Sequence, residues 1–192
     1  MWIGAAGLIA LVASRMVRQI TGPGRTAATP GRDAGTPPLA GSVANFTPFD
    51  SPRPAPQIAI IGGDGASLGL DALKGRPVLL NLWATWCVPC VREMASLDRL
   101  QESLGASLQV VALSEDAAGA KAVQPFFKEK GISHLGIYLD PSGSAAAALK
   151  VEGLPTTFML DAGGRLVGRL VGPAEWDSPE ALNLIRWYVQ AE

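Results

Sequence analysis

The feature that most constrains this 192-residue chain is an apolar run of strand length that leads directly to its two cysteines. Residues 76–84, RPVLLNLWA, have the near-continuous apolar character of a strand that is buried on both faces of a sheet. Cys87 and Cys90 follow it, and residues 91–104 place apolar side chains at helical spacing. A buried strand, a short turn and a helix that begins at a cysteine pair therefore predict an α/β unit.

Strand and helix patterns continue to alternate along the chain. Residues 57–70 predict two short strands joined by a Gly-Asp-Gly turn, and residues 107–114 predict a second buried strand. A hairpin around a Gly-Gly turn is predicted over 156–172, and a helix over 178–190 ends the pattern. We therefore expect an α/β protein with three layers, a central mixed sheet and an added β-hairpin at its N-terminal end.

The N-terminus has the composition of a targeting or anchoring segment. Residues 2–13 are wholly apolar. Arg15 and Arg18 follow them, a placement that the positive-inside rule taken alone would associate with a cytoplasmic domain. The run of 12 apolar residues is shorter than the roughly 20 that a membrane-spanning helix needs. The pattern leaves open a membrane anchor, a cleaved signal peptide and a helix at the membrane interface, and we assign residues 1–19 to this segment.

A change of composition separates this segment from the folded part. Residues 20–56 are rich in proline, glycine, alanine and threonine and show almost no apolar periodicity. Such a composition buries too little apolar surface to offset the entropy of ordering. We therefore expect a flexible tether over 20–56 and a folded domain over 57–192.

Net charge and cysteine spacing exclude several functions. The net charge of −1 offers no cationic surplus for binding phosphates, so nucleic acid is not expected as a partner. Val91 stands where a c-type haem site needs histidine. A structural zinc site needs four ligands, whereas His134 is the single histidine and no further cysteine pair exists. Two thiolates alone could hold copper(I). The plainest alternative is a pair of buried core cysteines, and the proline between Cys87 and Cys90 disfavours it.

A redox dithiol explains the cysteine pair more fully. Cysteines three residues apart are close enough to form a disulfide, and Cys87 is predicted to lie at the N-terminus of the helix. There the unpaired backbone N–H groups and the helix dipole favour the thiolate, which is the reactive form of cysteine. Pro89 fits in the first turn, where its missing N–H leaves nothing unpaired. Cys90 lies one turn further in, so we expect it to act only on the mixed disulfide that Cys87 has already formed with a partner.

The residues around the pair resemble the thioredoxin superfamily. LLNLWATWCVPCVREM is similar to its active-site strand, turn and helix, and more narrowly to the membrane-anchored periplasmic branch of TlpA and ResA type. VEGLPTTFMLD is similar to the cis-proline loop, which implies that Pro155 is cis and faces the disulfide, with the Leu154 backbone pairing to a client segment. DAGGRLVGRLVG resembles the hairpin that follows, and GPAEWDSPEALNLIR is very similar to the C-terminal segment of TlpA. The resemblance runs from about residue 57 to the end of the chain.

The sequence departs from thioredoxin at the position of its buried aspartate. Asn81 stands there, six residues before the first cysteine, and it cannot take a proton. The anchored branch tends to carry a glutamate one turn past the second cysteine, and Glu93 matches it, which implies a proton acceptor or electrostatic support for the thiols. A solvated helix residue is the plainer alternative for Glu93. Trp86 directly precedes Cys87 and is predicted to form part of the surface on which partners dock.

The resemblance implies an extracytoplasmic thiol–disulfide oxidoreductase that uses no cofactor or metal, anchored in the inner membrane and facing the periplasm. It implies client proteins with oxidised cysteines, such as those of copper-site assembly in cytochrome oxidase or of cytochrome c maturation. It also implies a membrane thiol transporter of the DsbD or CcdA kind as electron donor. A copper(I)-binding chaperone module that uses both thiolates is the alternative. A peroxiredoxin is disfavoured because Thr85 precedes Cys87 by two positions, where that class needs three.

Overall fold

An eight-stranded mixed sheet organises the part of the chain that this computed structural model describes, residues 35–190. In chain order the strands are β1 (Thr47–Pro54), β2 (Ala59–Gly62), β3 (Ser67–Gly69), β4 (Val78–Trp83), β5 (Gln109–Ser114), β6 (Tyr138–Leu139), β7 (Thr156–Leu160) and β8 (Arg165–Val171). Across the sheet their order is β1-β8-β7-β4-β5-β6-β2-β3. The strand that leads to the cysteines, β4, therefore lies in the interior of the sheet.

The pairing of the strands is parallel near the centre and antiparallel elsewhere. Strand β4 pairs in parallel with β5, and β5 pairs in parallel with β6. On its other side β4 pairs antiparallel with β7, which forms the predicted hairpin with β8. Strands β2 and β3 form the other predicted hairpin, which extends the sheet beyond β6. All six residues of β4 are buried, as its near-continuous apolar sequence predicts.

Four α-helices flank the sheet in the described residues: α1 (Val88–Leu104), α2 (Ala120–Lys130), α3 (Ser144–Ala148) and α4 (Pro179–Gln190). Two short 3-10 helices, Gly41–Val43 and Leu70–Leu73, accompany them. At the start of α4 the Ser178 hydroxyl accepts the Ala181 N–H at 3.2 Å and caps the helix. Gly131 ends α2 in the left-handed region with φ 67°. The start of α4 and the end of α2 are therefore set by a capping serine and a terminating glycine.

Two apolar clusters, one on each face of the sheet, make the fold three-layered. Alternate residues of β4 serve the two clusters, with Leu79 in one and Leu80 in the other. The larger cluster packs the sheet against α1, α2 and α4, and the smaller one packs it against α3 and the second 3-10 helix. Met94, Leu97 and Leu100 of α1 are fully buried in the larger cluster, so the helix that carries the cysteines is fixed on the sheet. The predicted three-layer α/β fold with an N-terminal hairpin is confirmed.

The predicted tether over 20–56 extends too far into the folded part. Residues 47–54 form β1 at the edge of the sheet, where β1 pairs antiparallel with β8, with a register irregularity between Pro48 and Arg53. Proline cannot donate to a strand ladder, but an edge strand needs only one row of hydrogen bonds, so a proline-rich segment can still join the sheet. Composition alone does not predict this strand because it does not show which edge of the sheet is free.

Two apolar residues before β1 fix this segment to the core. Val43 and Phe46 are buried, and the Phe46 ring lies 5.6 Å from the ring of Tyr188 in α4. The Phe46 ring also lies against Gly168 of β8, where any Cβ atom would collide with it. Glycine at position 168 therefore makes room for the phenylalanine, and the folded domain begins well before residue 57.

The predicted anchor over residues 1–19 and the first part of the predicted tether, residues 20–34, lie outside the described residues. Both therefore stay predictions. Between residues 35 and 190, none of the helices has the length and apolar character needed to cross a membrane.

Candidate active site

The two cysteines are joined in a disulfide at the start of α1. The S–S distance is 2.00 Å, and the Cα atoms of Cys87 and Cys90 lie 5.2 Å apart. Cys87 is the N-cap of α1, and its sulfur accepts the Cys90 N–H at 3.3 Å. Pro89 lies in the first turn, where a missing N–H leaves no hydrogen bond unformed. The predicted placement of the pair at a helix N-terminus is confirmed.

Solvent reaches the surroundings of the two cysteines unequally. Trp86 and Val88, which flank Cys87, are exposed to 69% and 61%. Cys87 itself retains 6% exposure, whereas Cys90 is fully buried. An incoming molecule therefore meets Cys87 first and reaches Cys90 only through it.

An aspartate at the end of β5 holds the turn that presents the cysteines. The carboxylate of Asp116 accepts the Thr85 backbone N–H at 2.9 Å and the Thr85 hydroxyl at 2.6 Å. The hydroxyl of Ser114, the last residue of β5, donates to the same carboxylate at 2.8 Å. Because β4 and β5 are parallel neighbours, their carboxyl ends lie side by side, and Asp116 fixes the chain just before Trp86. Local sequence patterns do not single out Asp116, although the acidic pair Glu115 and Asp116 directly follows the buried strand β5.

The cis-proline lies at the same end of the sheet. The peptide bond between Leu154 and Pro155 is cis, as the resemblance of this loop to the thioredoxin superfamily implies. Thr156 of β7 is opposite Leu82 of β4, so Pro155 lies beside the carboxyl end of the strand that leads to Cys87. The Pro155 carbonyl accepts the Gly172 N–H at 2.9 Å, which connects this loop to the end of β8.

Glu93 is buried one turn beyond Cys90 and joins three parts of the domain. Its exposed fraction is 1%. Glu93 Oε1 accepts Asn81 Nδ2 of β4 at 2.8 Å. Glu93 Oε2 accepts the backbone N–H of Ala174 and the indole N–H of Trp176, both at 3.0 Å. The carboxyl group therefore ties α1 to β4 and to the segment before α4, and the alternative of a solvated helix residue is wrong.

The surroundings of Glu93 bring its titration to neutral pH. Burial raises the pKa of Glu93 from 4.5 to about 7, against the lowering effect of the hydrogen bonds from Ala174, Asn81 and Trp176. The negative charge of Glu175 adds to the rise of this pKa. Desolvation of the carboxyl group is the largest cause of this rise in the pKa of Glu93. A group on the helix that carries the cysteines therefore changes its protonation state near neutral pH.

Asn81 connects Glu93 to the neighbouring strand. It is fully buried, and its Nδ2 donates to Glu93 Oε1 at 2.8 Å and to Thr157 Oγ1 at 2.9 Å. Its Oδ1 has no hydrogen-bond partner within residues 35–190. This amide orientation suits an ionised Glu93, because a carboxylate accepts hydrogen bonds and cannot donate them. A protonated Glu93 would instead offer a donor that a rotated Asn81 could accept through Oδ1.

The structure brings the predicted site residues to one end of the sheet. Trp86, Cys87, Pro89 and Cys90 lie at the start of α1, Glu93 lies on the next turn, and Leu154 and Pro155 lie at the start of the adjacent strand. Trp176 belongs to the same buried cluster, although its sequence position, 83 residues after Glu93, gives no local signal of the contact. Among the described residues, no group of three or more His, Cys, Asp or Glu side chains is arranged to hold a metal ion.

Fold and site together define the class of protein: a thiol–disulfide oxidoreductase on the thioredoxin fold. The sequence profile of the Redoxin family matches residues 50–185. The chain therefore belongs to the Redoxin family, and within the thioredoxin superfamily it is a TlpA/ResA-like protein.

Individual relatives agree with this assignment. The chain is 33% identical over 136 residues to the thiol-disulfide oxidoreductase ResA of Bacillus subtilis, with 69% of this chain and 74% of ResA covered. It is 28% identical over 124 residues to the thiol:disulfide interchange protein HelX of Rhodobacter capsulatus, with 65% and 68% covered. The crystal structure of a DsbF homologue from Corynebacterium diphtheriae matches with a TM-score of 0.60 at 29% identity, over 74% of this chain and 90% of that one. The predicted activity class, thiol–disulfide oxidoreduction, is confirmed.

Proposed function

We propose that this oxidoreductase reduces oxidised client cysteines outside the cytoplasm, with Cys87 as the attacking thiol and Cys90 as the resolving thiol. The observation that carries the assignment is the unequal burial of the pair, because Cys87 is flanked by exposed residues whereas Cys90 is fully buried. The N-cap position of Cys87 adds support, since a helix N-terminus favours the thiolate.

The proposed reaction has two exchange steps. The Cys87 thiolate attacks one sulfur of a client disulfide, a bond forms between the two sulfurs, and the second client sulfur leaves as a thiolate. The Cys90 thiolate then attacks Cys87 Sγ and releases the first client sulfur. The two electrons come from the dithiol of this protein, so the client ends as a dithiol and the protein ends with its Cys87–Cys90 disulfide.

Glu93 is the proposed proton acceptor for Cys90 in the second step. Cys90 is fully buried and must lose its proton before it can attack. Glu93 lies three residues along the same helix, and its pKa of about 7 allows it to take up a proton at neutral pH. The Leu154 backbone, next to the cis-proline, is the proposed pairing partner for an extended client segment.

The Cys87–Cys90 pair is expected to have a low, reducing potential. Val88 and Pro89 supply no histidine that would stabilise the Cys87 thiolate strongly, and a dithiol that is less stabilised donates electrons more readily. The potential is therefore expected nearer the thioredoxin value of about −270 mV than the DsbA value of about −120 mV. Equilibration with glutathione buffers of graded composition measures it. A potential above roughly −180 mV would reverse the proposed direction of electron flow.

The two cysteines are expected to differ in reactivity. A variant that retains only Cys87 should be alkylated at lower pH than a variant that retains only Cys90, because Cys87 caps α1. Rates of iodoacetamide labelling as a function of pH provide the comparison, and labelling in denaturant, where the two variants should behave alike, controls for the reagent. Identical profiles in the folded proteins would remove the argument from the helix N-terminus.

The client class and the cellular setting complete the proposal. We expect clients whose cysteines must be reduced before they bind a metal or a haem, as in copper-site assembly of cytochrome oxidase or maturation of cytochrome c. We expect electrons to come from a membrane thiol transporter of the DsbD or CcdA kind, and residues 1–19 to anchor the protein at the inner membrane with the domain in the periplasm. Resemblance to the TlpA and ResA branch supports these three points.

A further inference from the structure

Exposed apolar side chains surround the active site. The large apolar residues that remain exposed within the described range are Trp86, Val88 and Val171. Trp86 and Val88 flank Cys87, and Val171 is paired across the hairpin with Thr156, the residue after the cis-proline. Apolar side chains left in solvent around a reactive group are typical of a surface that a partner covers.

A groove begins at Val88 and runs between α1 and α2. It has a volume of about 400 Å³, and Val88, Val91 and Phe126 provide its apolar floor. The Phe126 ring lies 5.1 Å from the ring of the fully buried Trp83, so the core holds this part of the floor in place. Because Val88 directly follows Cys87, the groove starts one residue from the proposed point of attack.

The rim of the groove carries an uncompensated positive charge. Arg92, Glu129 and Lys130 line it, and Glu129 pairs with Lys130 at 2.8 Å. Arg92 is exposed and forms no ion pair with another residue of the described range. The N-terminus of α1 adds partial positive charge at the same end. A carboxylate therefore complements this rim, and an ammonium group is repelled by it.

We propose that this groove selects clients by the residues next to their disulfide cysteine. Its occupant is an extended client segment that places an apolar side chain on Val91 and Phe126 and an acidic side chain beside Arg92. The side chain of Arg92 thereby acts on substrate choice and not on the thiol chemistry. This inference rests on the proposed attack by Cys87, and the experiment below separates the two.

Peptides of equal length provide the probes. Each carries one cysteine in a mixed disulfide with 2-nitro-5-thiobenzoate, with Leu or Gly directly beside the cysteine on both sides and Glu or Lys at the next positions. Attack by Cys87 of the reduced full-length chain on the peptide sulfur breaks the mixed disulfide and releases the coloured thiolate, which is the better leaving group. Neutral hydroxyethyl disulfide serves as the substrate without side chains.

The expected preferences follow from the floor and the rim. Peptides with Leu should react about tenfold faster than those with Gly, because the groove buries the apolar surface of the Leu side chain. Peptides with Glu should react faster than those with Lys by roughly two- to fivefold, the size of an exposed ion-pair effect, and added salt should reduce the difference. Arg92→Glu should reverse the charge preference, and Val91→Ser should reduce the advantage of Leu.

Arg186→Glu is the matched control, because Arg186 is an exposed arginine on α4 and does not line the groove. It should leave the preference for Glu in place. Equal rates for all peptides, or the same reversal in the Arg186 variant, would overturn the groove as a specificity site. An Arg92 variant that is equally slowed on hydroxyethyl disulfide would overturn it too, because Arg92 would then act on the chemistry. If no thiol were released from any of the peptides or from hydroxyethyl disulfide, the attack by Cys87 would itself be refuted.

Discussion

Replacing Cys90 with serine is expected to convert the protein into a trap for its clients. Cys87 can still attack and form a mixed disulfide, but no internal thiol remains to resolve it. Turnover with a client disulfide should fall by on the order of a thousandfold or more, as when one member of a joint catalytic unit is removed. Non-reducing gels of cells that express the variant should therefore show covalent complexes that disappear when a reductant is added.

Cys87→Ser provides the matched control for the trap. Like Cys90→Ser, it replaces one cysteine sulfur at the start of α1 by oxygen. The remaining Cys90 is fully buried, however, and should capture no client. Complexes of equal yield from the two variants would contradict the assignment of Cys87 as the attacking thiol. Mass spectrometry of the trapped partners also tests the client class, since copper-ligand cysteines and haem-attachment cysteines are expected in different proteins. A trap that captures neither kind of protein would contradict the proposed clients.

The sequence predicts the parts of this site that lie close together along the chain. The strand, turn and helix around Cys87 form one local unit, so periodicity and the spacing of the cysteines are enough to place them. The burial of Glu93 is also predictable, because residues three apart on a helix share a face. Pro155 is far from Cys87 in sequence, and only the resemblance of its loop to a family motif brings it to the site.

Contacts that form between distant segments were not predictable from local patterns. Asp116 and Thr85 follow two neighbouring parallel strands and are hydrogen-bonded to each other, and Trp176 donates to Glu93 from a segment 83 residues later in the chain. The composition of β1, which prolines and small residues dominate, is typical of a tether, whereas its stability comes from pairing with β8 and from Phe46 packed on Tyr188. In each case the missing information is which elements are neighbours in the fold, and single-sequence periodicity does not contain it.

Glu93→Gln is expected to remove a large part of the pH dependence of stability. In the folded protein the pKa of Glu93 is raised from 4.5 to about 7. Between these pH values the unfolded chain has released a proton that the folded protein still holds. The stability contributed by the neutral, buried carboxyl group is therefore fully present below pH 4.5 and is lost as the pH rises through about 7. At about 1.4 kcal/mol per unit of pKa shift, the loss is on the order of 3 kcal/mol.

Glutamine can replace Glu93 with little change in packing. Its amide oxygen can accept the N–H groups of Ala174 and Trp176, which now donate to Glu93 Oε2. Its amide nitrogen would face Asn81, whose Oδ1 has no partner within the described residues. Rotation of the Asn81 amide turns that oxygen toward the new donor, and Asn81 Nδ2 then gives up its hydrogen bonds to residue 93 and to Thr157. The cost of this rearrangement is the same at every pH, so the pH dependence of the difference in stability reports the proton of Glu93.

Urea unfolding of the oxidised protein across this pH range provides the measurement, because the intact disulfide keeps both cysteines from titrating. The free energy of unfolding of the wild type minus that of Glu93→Gln should decrease by on the order of 3 kcal/mol between pH 4.5 and about 7. Glu115→Gln is the matched control: burial and the charge of Asp140 raise the pKa of Glu115 to about 7 as well, but Glu115 is only partly buried, so solvent should make its effect smaller. A constant difference for Glu93→Gln would mean that its carboxyl group titrates at its ordinary value. Such a group would be ionised throughout the neutral range and would be too weak a base to hold the Cys90 proton there.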